Sequence, residues 1–142
     1  MPRVSQAVAK QTRQNIIDAT IKIITLEGAE MLTFSHIAKK ANISRSGINC
    51  HFKRKEDLLA EVEPILAERV SQALDFSSPE AFFASFKLAV DEDRMFRNLI
   101  KNTGQVFEKS KGHGELLEII NGDPEEVKNA VYMAIGYAVV HA

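Results

Sequence analysis

The chain has 142 residues, 45% hydrophobic and 26% charged, which is enough for one or two small helical units with a core and too little for a large enzyme domain. Its formal charge of −1 conceals an asymmetry: residues 1–55 hold ten Lys or Arg against three Asp or Glu, and residues 56–142 hold eight against sixteen. A basic half joined to an acidic half is the footprint of a protein that offers one end to a polyanion. Residues 1–10 contain no apolar signal core, and the longest apolar stretch falls short of the ~20 residues of a membrane span. Neither export nor a membrane partner is therefore expected, and a single cysteine, Cys50, fits a reducing cytoplasm.

The first sharp local signature begins at Thr33. A hydroxyl residue there precedes Phe34, Ile37, Ala38 and Ala41 at three- and four-residue spacing, with Lys39 and Lys40 on the opposite face. This predicts a short, N-capped amphipathic helix. Asn42 stands where the chain must turn sharply, and asparagine tolerates the left-handed conformation that such a turn demands. Ser44 offers a second N-cap, so another short helix is expected from about Arg45 to His51, with Ile48 inward and Arg45, Ser46, Asn49 and Cys50 outward. Two helices joined by so short a turn are a helix-turn-helix, whose second helix presents its N-terminal side chains to base edges in the major groove. Arginine pairs with guanine there and asparagine with adenine. The competing reading is a helical hairpin whose lysines and arginine only keep a surface wet; the charge asymmetry favours the first.

From Asn15 to Leu59 the pattern IIDATIKIITLEG, the element TFSHIAKKANIS and the block INCHFKRKEDLL resemble the DNA-binding domain of the tetracycline-repressor (TetR) family, and the HFK segment resembles its multidrug-efflux repressors. The resemblance implies an all-α homodimer that represses transcription and leaves its double-stranded operator DNA when a small-molecule effector binds the C-terminal domain. It implies a three-helix helix-turn-helix domain over 1–54 and a helical effector-binding and dimerisation domain over 55–142. The family's DNA contacts, carried over by position, fall on Thr33, Arg45, Ser46, Asn49, Cys50, His51 and Lys55, and the cap Ser44 belongs to the same surface. This chain also departs from the pattern. Asn42 stands where the family has glycine, Asn49 and Cys50 where it has aromatic residues, and Arg54 where it often has Ser or Asp capping the next helix. The lost aromatics remove a stacking and phosphate-contacting surface.

Further along, Lys55, Glu56 and Asp57 open a helix expected to reach about Asp75, with the acids favourably placed against its N-terminal dipole. Pro64 lies inside it and predicts a kink or break near Val62, either a hinge or a purely structural bend. Ser78 and Pro79 read as N-cap and first residue of a helix towards Val90, followed by another from about Asp91 to Phe107. Six of the eight phenylalanines fall between Phe76 and Phe107; they are read as core or as the lining of an apolar effector pocket, with Phe86 and Phe107 as candidate walls and Tyr132 and Tyr137 as polar handles. A polar loop over 109–114 carries His113, and a short helix is expected over 115–121, ended by Gly122.

The last helix is capped by Asp123, begins at Pro124 and places Glu125 and Glu126 on its dipole. It is apolar almost all round, which predicts burial on more than one side. The stripe Ala130, Ala134 and Ala138 is the candidate dimer seam, an intrachain packing face being the alternative. The family has one further helix after this one, so a fragment or a shortened relative is an open reading.

No catalytic set emerges, and no enzyme, metal or cofactor is expected. Cys50 and His51 are helix neighbours about 100° apart and do not face each other; His36, His51, His113 and His141 lack metal-ligand spacing, and no glycine-rich phosphate loop is present. Cys50 itself is read as a small residue at the groove or as an oxidisable thiol. A function of another class stays open beside the repressor: a shortened interaction module that heterodimerises with a full-length repressor.

Overall fold

The structure, a computed structural model, describes the backbone of residues 5–107 and 117–142 and the side chains of 5–101 and 117–142. The chain separates into two compact units, residues 1–66 and 67–142, and every described element is a helix or a turn.

In the first unit, α1 (Gln6–Lys22) starts at Ser5, whose hydroxyl accepts the Val8 N–H at 3.2 Å. It runs into a wider π turn over Ile23–Glu27. Thr20 and Thr25 are buried on this segment, and each hydroxyl donates to the carbonyl four residues back at 2.8 Å, so neither costs an unpaired polar group. Gly28 ends the turn at φ 104°, a value that L side chains rarely adopt. After a 3₁₀ turn at Ala29–Met31 come α2 (Phe34–Ala41) and α3 (Arg45–His51), both packed on α1. Ile16, Ile23, Leu32, Ile37, Ile48, Phe52, Leu58 and Val62 are all at most 2% exposed and form this unit's core.

Helix α4 (Lys55–Gln72) passes without a break through Pro64. Of the kink or break expected near Val62 the break does not occur: Ala60 and Pro64 both lie on an exposed face, where water is free to serve the carbonyl that proline leaves without a donor. The helix also stops at Gln72, short of Asp75. The boundary read at 54/55 marks where α4 begins, whereas the compact first unit retains that helix as far as Leu66, since Leu58, Val62 and Leu66 are buried.

In the second unit, Ser78 caps α5 (Pro79–Glu92) by accepting the Ala81 N–H at 3.0 Å, and Asp93 caps α6 (Arg94–Phe107) by accepting the N–H groups of Met95 and Phe96. The last described helix, α7 (Pro124–His141), starts at Asp123, whose carboxylate accepts from Glu125 and Glu126. Helices α5 and α7 pack on each other, and Phe82, Phe86, Val90, Phe96, Ile120, Val127, Ala130, Val131 and Ala134 make the core. Gly122 has φ 145°, and a Cβ there would come within 2.8 Å of the Pro79 ring, so both backbone and space demand glycine. Of the helix expected over 115–121, residues 117–119 are helical; 115 and 116, and the loop with His113, lie outside the described residues.

Helix α7 bears on two of the expectations. The helix is buried on one side and exposed on the other, where Tyr132, Met133, Ile135, Val139 and Val140 stand 43–81% exposed. The alanine stripe is on the inner side: Ala130 and Ala134 are 5% and 2% exposed and Ala138 packs on the same core. Small residues admit a close neighbour, and here that neighbour is α5 with its bulky Phe82 and Phe86. Ala130 and Ala134 are thus taken up by packing within their own unit, and Ala138 partly so.

Candidate nucleic-acid interface

The geometry of the α2–α3 turn follows from three side chains. The Thr33 hydroxyl accepts the His36 N–H at 3.1 Å and starts α2. Asn42 takes φ 56°, ψ 47°, and lets the Ile43 N–H reach back to the Ala38 carbonyl at 3.0 Å, closing the helix end. The Ser44 hydroxyl then accepts the Gly47 N–H at 3.0 Å and starts α3. A Cβ on Gly47 would lie 3.3 Å from that hydroxyl, a restriction that the residue pattern alone did not reveal.

Helix α3 has seven residues and one buried side chain, Ile48, at 0% exposure. Turned inward, Ile48 leaves Arg45, Ser46, Asn49 and Cys50 exposed, and His51 half-buried at the end of the helix. Thr33 and Lys55 are exposed as well. The structure brings most of these together: Thr33, Arg45, Asn49, Lys53, Arg54 and Lys55 line one open cleft of about 400 Å³. A second, of about 340 Å³, shares Thr33 with it and adds Ser35, His36 and Lys39.

Charge on this face is unbalanced. Among the described residues, Lys39, Arg45, Lys53, Arg54 and Lys55 have no carboxylate partner. Lys40 does have one, 3.4 Å from Glu27. The same carboxylate faces His36 Nε2 at 3.0 and 3.1 Å, which ties α2 to the end of the α1 segment. The hydrogen bond from His36, with the charge of Lys40 beside it, holds the Glu27 carboxyl below its ordinary pKa. The Arg13 guanidinium lies 4.3 Å over the ring of buried Phe52 and pairs with Glu61 on α4. These contacts hold the short helices in place and leave the cations of the outer face unengaged.

Of the three described residues named for an effector, Phe86 and Tyr137 belong to one core cluster and Tyr132 stands apart from it. Phe86 sits in the core, edge-on to Phe96 at 5.5 Å. Tyr132 is 59% exposed on the outer side of α7. Tyr137 is half-buried, edge-on to Phe83 at 6.1 Å, and its hydroxyl donates to Asp91, which raises the phenol's pKa. The Phe107 side chain lies outside the described residues. Lys53 and Arg54, in contrast, were not singled out as contacts, and their adjacency to Lys55 was the available signal.

Residues 16–62 match the family described as bacterial regulatory proteins, tetR family. The chain is 36% identical over 62 residues to the HTH-type transcriptional regulator AcrR of Shigella flexneri, covering 44% of this chain and 29% of that one. It is 38% identical over 69 residues to the uncharacterized HTH-type transcriptional regulator TtgW of Pseudomonas putida, 49% of each chain. With the probable acrEF/envCD operon repressor of Escherichia coli K12 it shares 32% over 77 residues, 52% of this chain and 35% of the other. The chain thus spans less than half the length of each of these relatives. The matched segment contains the capped turn, the exposed α3 face and the cationic cleft just described, and over residues 16–62 the chain carries a domain of the tetR family of bacterial regulatory proteins.

Proposed function

We propose that the protein is a sequence-specific DNA-binding transcriptional repressor, working as a homodimer in the cytoplasm and released from its operator by a small apolar effector. The observation that carries this reading is the α3 face: Arg45, Ser46, Asn49 and Cys50 all exposed over buried Ile48, and flanked by unpaired cations. Arg45 and Asn49 are one helical turn apart on the same side, suited to guanine and adenine edges, while Thr33, Lys39 and Lys55 suit backbone phosphates. Ser44 and Ser46, with hydroxyls 3.0 Å apart, lie at the helix start that enters the groove. His51, half-buried at the far end, is the least accessible of the assigned contacts.

The homodimer is supported by the exposed apolar side of α7, where Tyr132, Met133, Ile135, Val139 and Val140 form a seam of the kind obligate interfaces use. The effector is supported by the phenylalanine-rich second unit and by the names of the relatives, among them an operon repressor. Helices of the described residues are too short or too polar to cross a membrane. Binding of duplex DNA by the purified chain alone tests the function. Retention that weakens steeply with salt supports it; no retention at low salt rejects it and favours the interaction module that modulates a longer repressor.

A further inference from the structure

Arg54 occupies the position before α4, where Ser, Thr, Asp or Asn would accept a hydrogen bond from the first helical turn. Arginine has no acceptor. Capping runs only the other way, with the Asp57 carboxylate accepting the Arg54 backbone N–H at 3.2 Å, so the Asp57 acid is occupied at the backbone. The Arg54 guanidinium is exposed and has no acid partner among the described residues, between Lys53 and Lys55, which also have none. All three reach one cleft with Arg45, Thr33 and Asn49. Four like charges around about 400 Å³ repel one another, and the arrangement gives up a helix cap as well.

From this juxtaposition we infer that Arg54, seconded by Lys53, is a seat for a DNA backbone phosphate beside the recognition helix, distinct from the contact assigned to Lys55. The inference rests on the DNA-binding reading above. An arginine fork donates to two phosphate oxygens at once, and a lysine on either side adds charge without geometric demand. The position also suits the chemistry of the neighbouring face: with Asn49 and Cys50 supplying no aromatic phosphate contact, the cations of the 53–55 turn hold the strand that α3 approaches. Such a contact fixes register and carries no sequence preference of its own.

The test is Arg54→Ser, which restores a residue type preferred at a helix start and so should leave the thermal midpoint of the full chain unchanged or raised. Affinity is read by fluorescence anisotropy on a labelled mixed-sequence duplex of about three helical turns, across a salt series. Arg54→Ser is expected to weaken binding about fivefold to tenfold on every duplex tried and to reduce the slope of log affinity against log salt by about 0.9 per protomer. Lys53→Ser added to it should take the slope down further. An Arg54→Ser protein with the wild-type affinity and slope overturns the phosphate seat while leaving DNA binding intact. A loss confined to one duplex sequence also overturns it, since a phosphate contact is blind to sequence. A wild-type chain that retains no duplex at low salt overturns the DNA-binding reading, and the seat with it.

Discussion

Replacing Ile48 with alanine should detach the recognition helix from its support. Helix α3 is seven residues long, below the ~12 to 15 residues at which helices begin to persist alone, so its shape depends on packing. Ile48 is the side chain that α3 buries, and it is 0% exposed. Ile48→Ala removes three carbons, worth about 0.8 kcal/mol each in transfer, and leaves a cavity in the core of the unit. The sum falls at about 2 to 5 kcal/mol, against roughly 5 to 15 kcal/mol for a whole domain. Urea unfolding followed by circular dichroism measures the loss, and Ile48→Val, at about 0.5 to 1.5 kcal/mol, gives the graded control. DNA affinity should fall further than the unfolded fraction alone explains, because a loosened α3 must be ordered again on binding. An Ile48→Ala protein that loses under about 1 kcal/mol would show that Ile48 is not the anchor.

Arg45→Ala should cost ~1 to 3 kcal/mol of DNA binding and relax preference at one base pair, whereas Lys55→Ala should weaken all sequences alike; identical, sequence-blind effects in a binding-site selection would remove Arg45 from base readout. Val139→Asp, on the outer side of α7, should yield folded monomers in sedimentation, while Ala134→Lys, on the inner side, should unfold the second unit; a dimer indifferent to Val139→Asp places the interface elsewhere. Because the folded pKa of Glu27 is depressed by His36 and Lys40, its contribution to stability is present above the ordinary glutamate range and is lost as pH falls through the depressed value. Glu27→Gln should therefore be less stable than wild type near neutral pH and converge on it in acid, as thermal melts over a pH series would read; a gap that widens on acidification contradicts this assignment.

The residues that the sequence made legible are those whose demands are local. Thr33, Asn42 and Ser44 announce a cap, a left-handed turn and a second cap through their own chemistry, and each takes that part. Ile48 was placed by spacing alone, since an exposed polar run with one apolar member leaves a single inward choice. What stayed open depends on neighbours that composition does not reveal. The alanines of α7 signal that something packs closely, but not that α5 is what packs there. Pro64 signals a missing hydrogen bond, but its cost depends on whether water reaches Ala60, and in this helix that face is exposed. Arg54 registered only as an absent cap; its position in the cleft emerges once Asp57 is seen to be occupied at the backbone.

The central claim, that the exposed α3 face reads DNA, is tested most directly by selecting binding sites from a random duplex pool with the purified chain alone. The account predicts enrichment of an inverted repeat whose halves lie about one helical turn apart, ~34 Å or slightly more, with the preference in each half altered by Arg45→Ala. Retention of no enriched sequence, or of one that Arg45→Ala and Asn49→Ala leave unchanged, would contradict it.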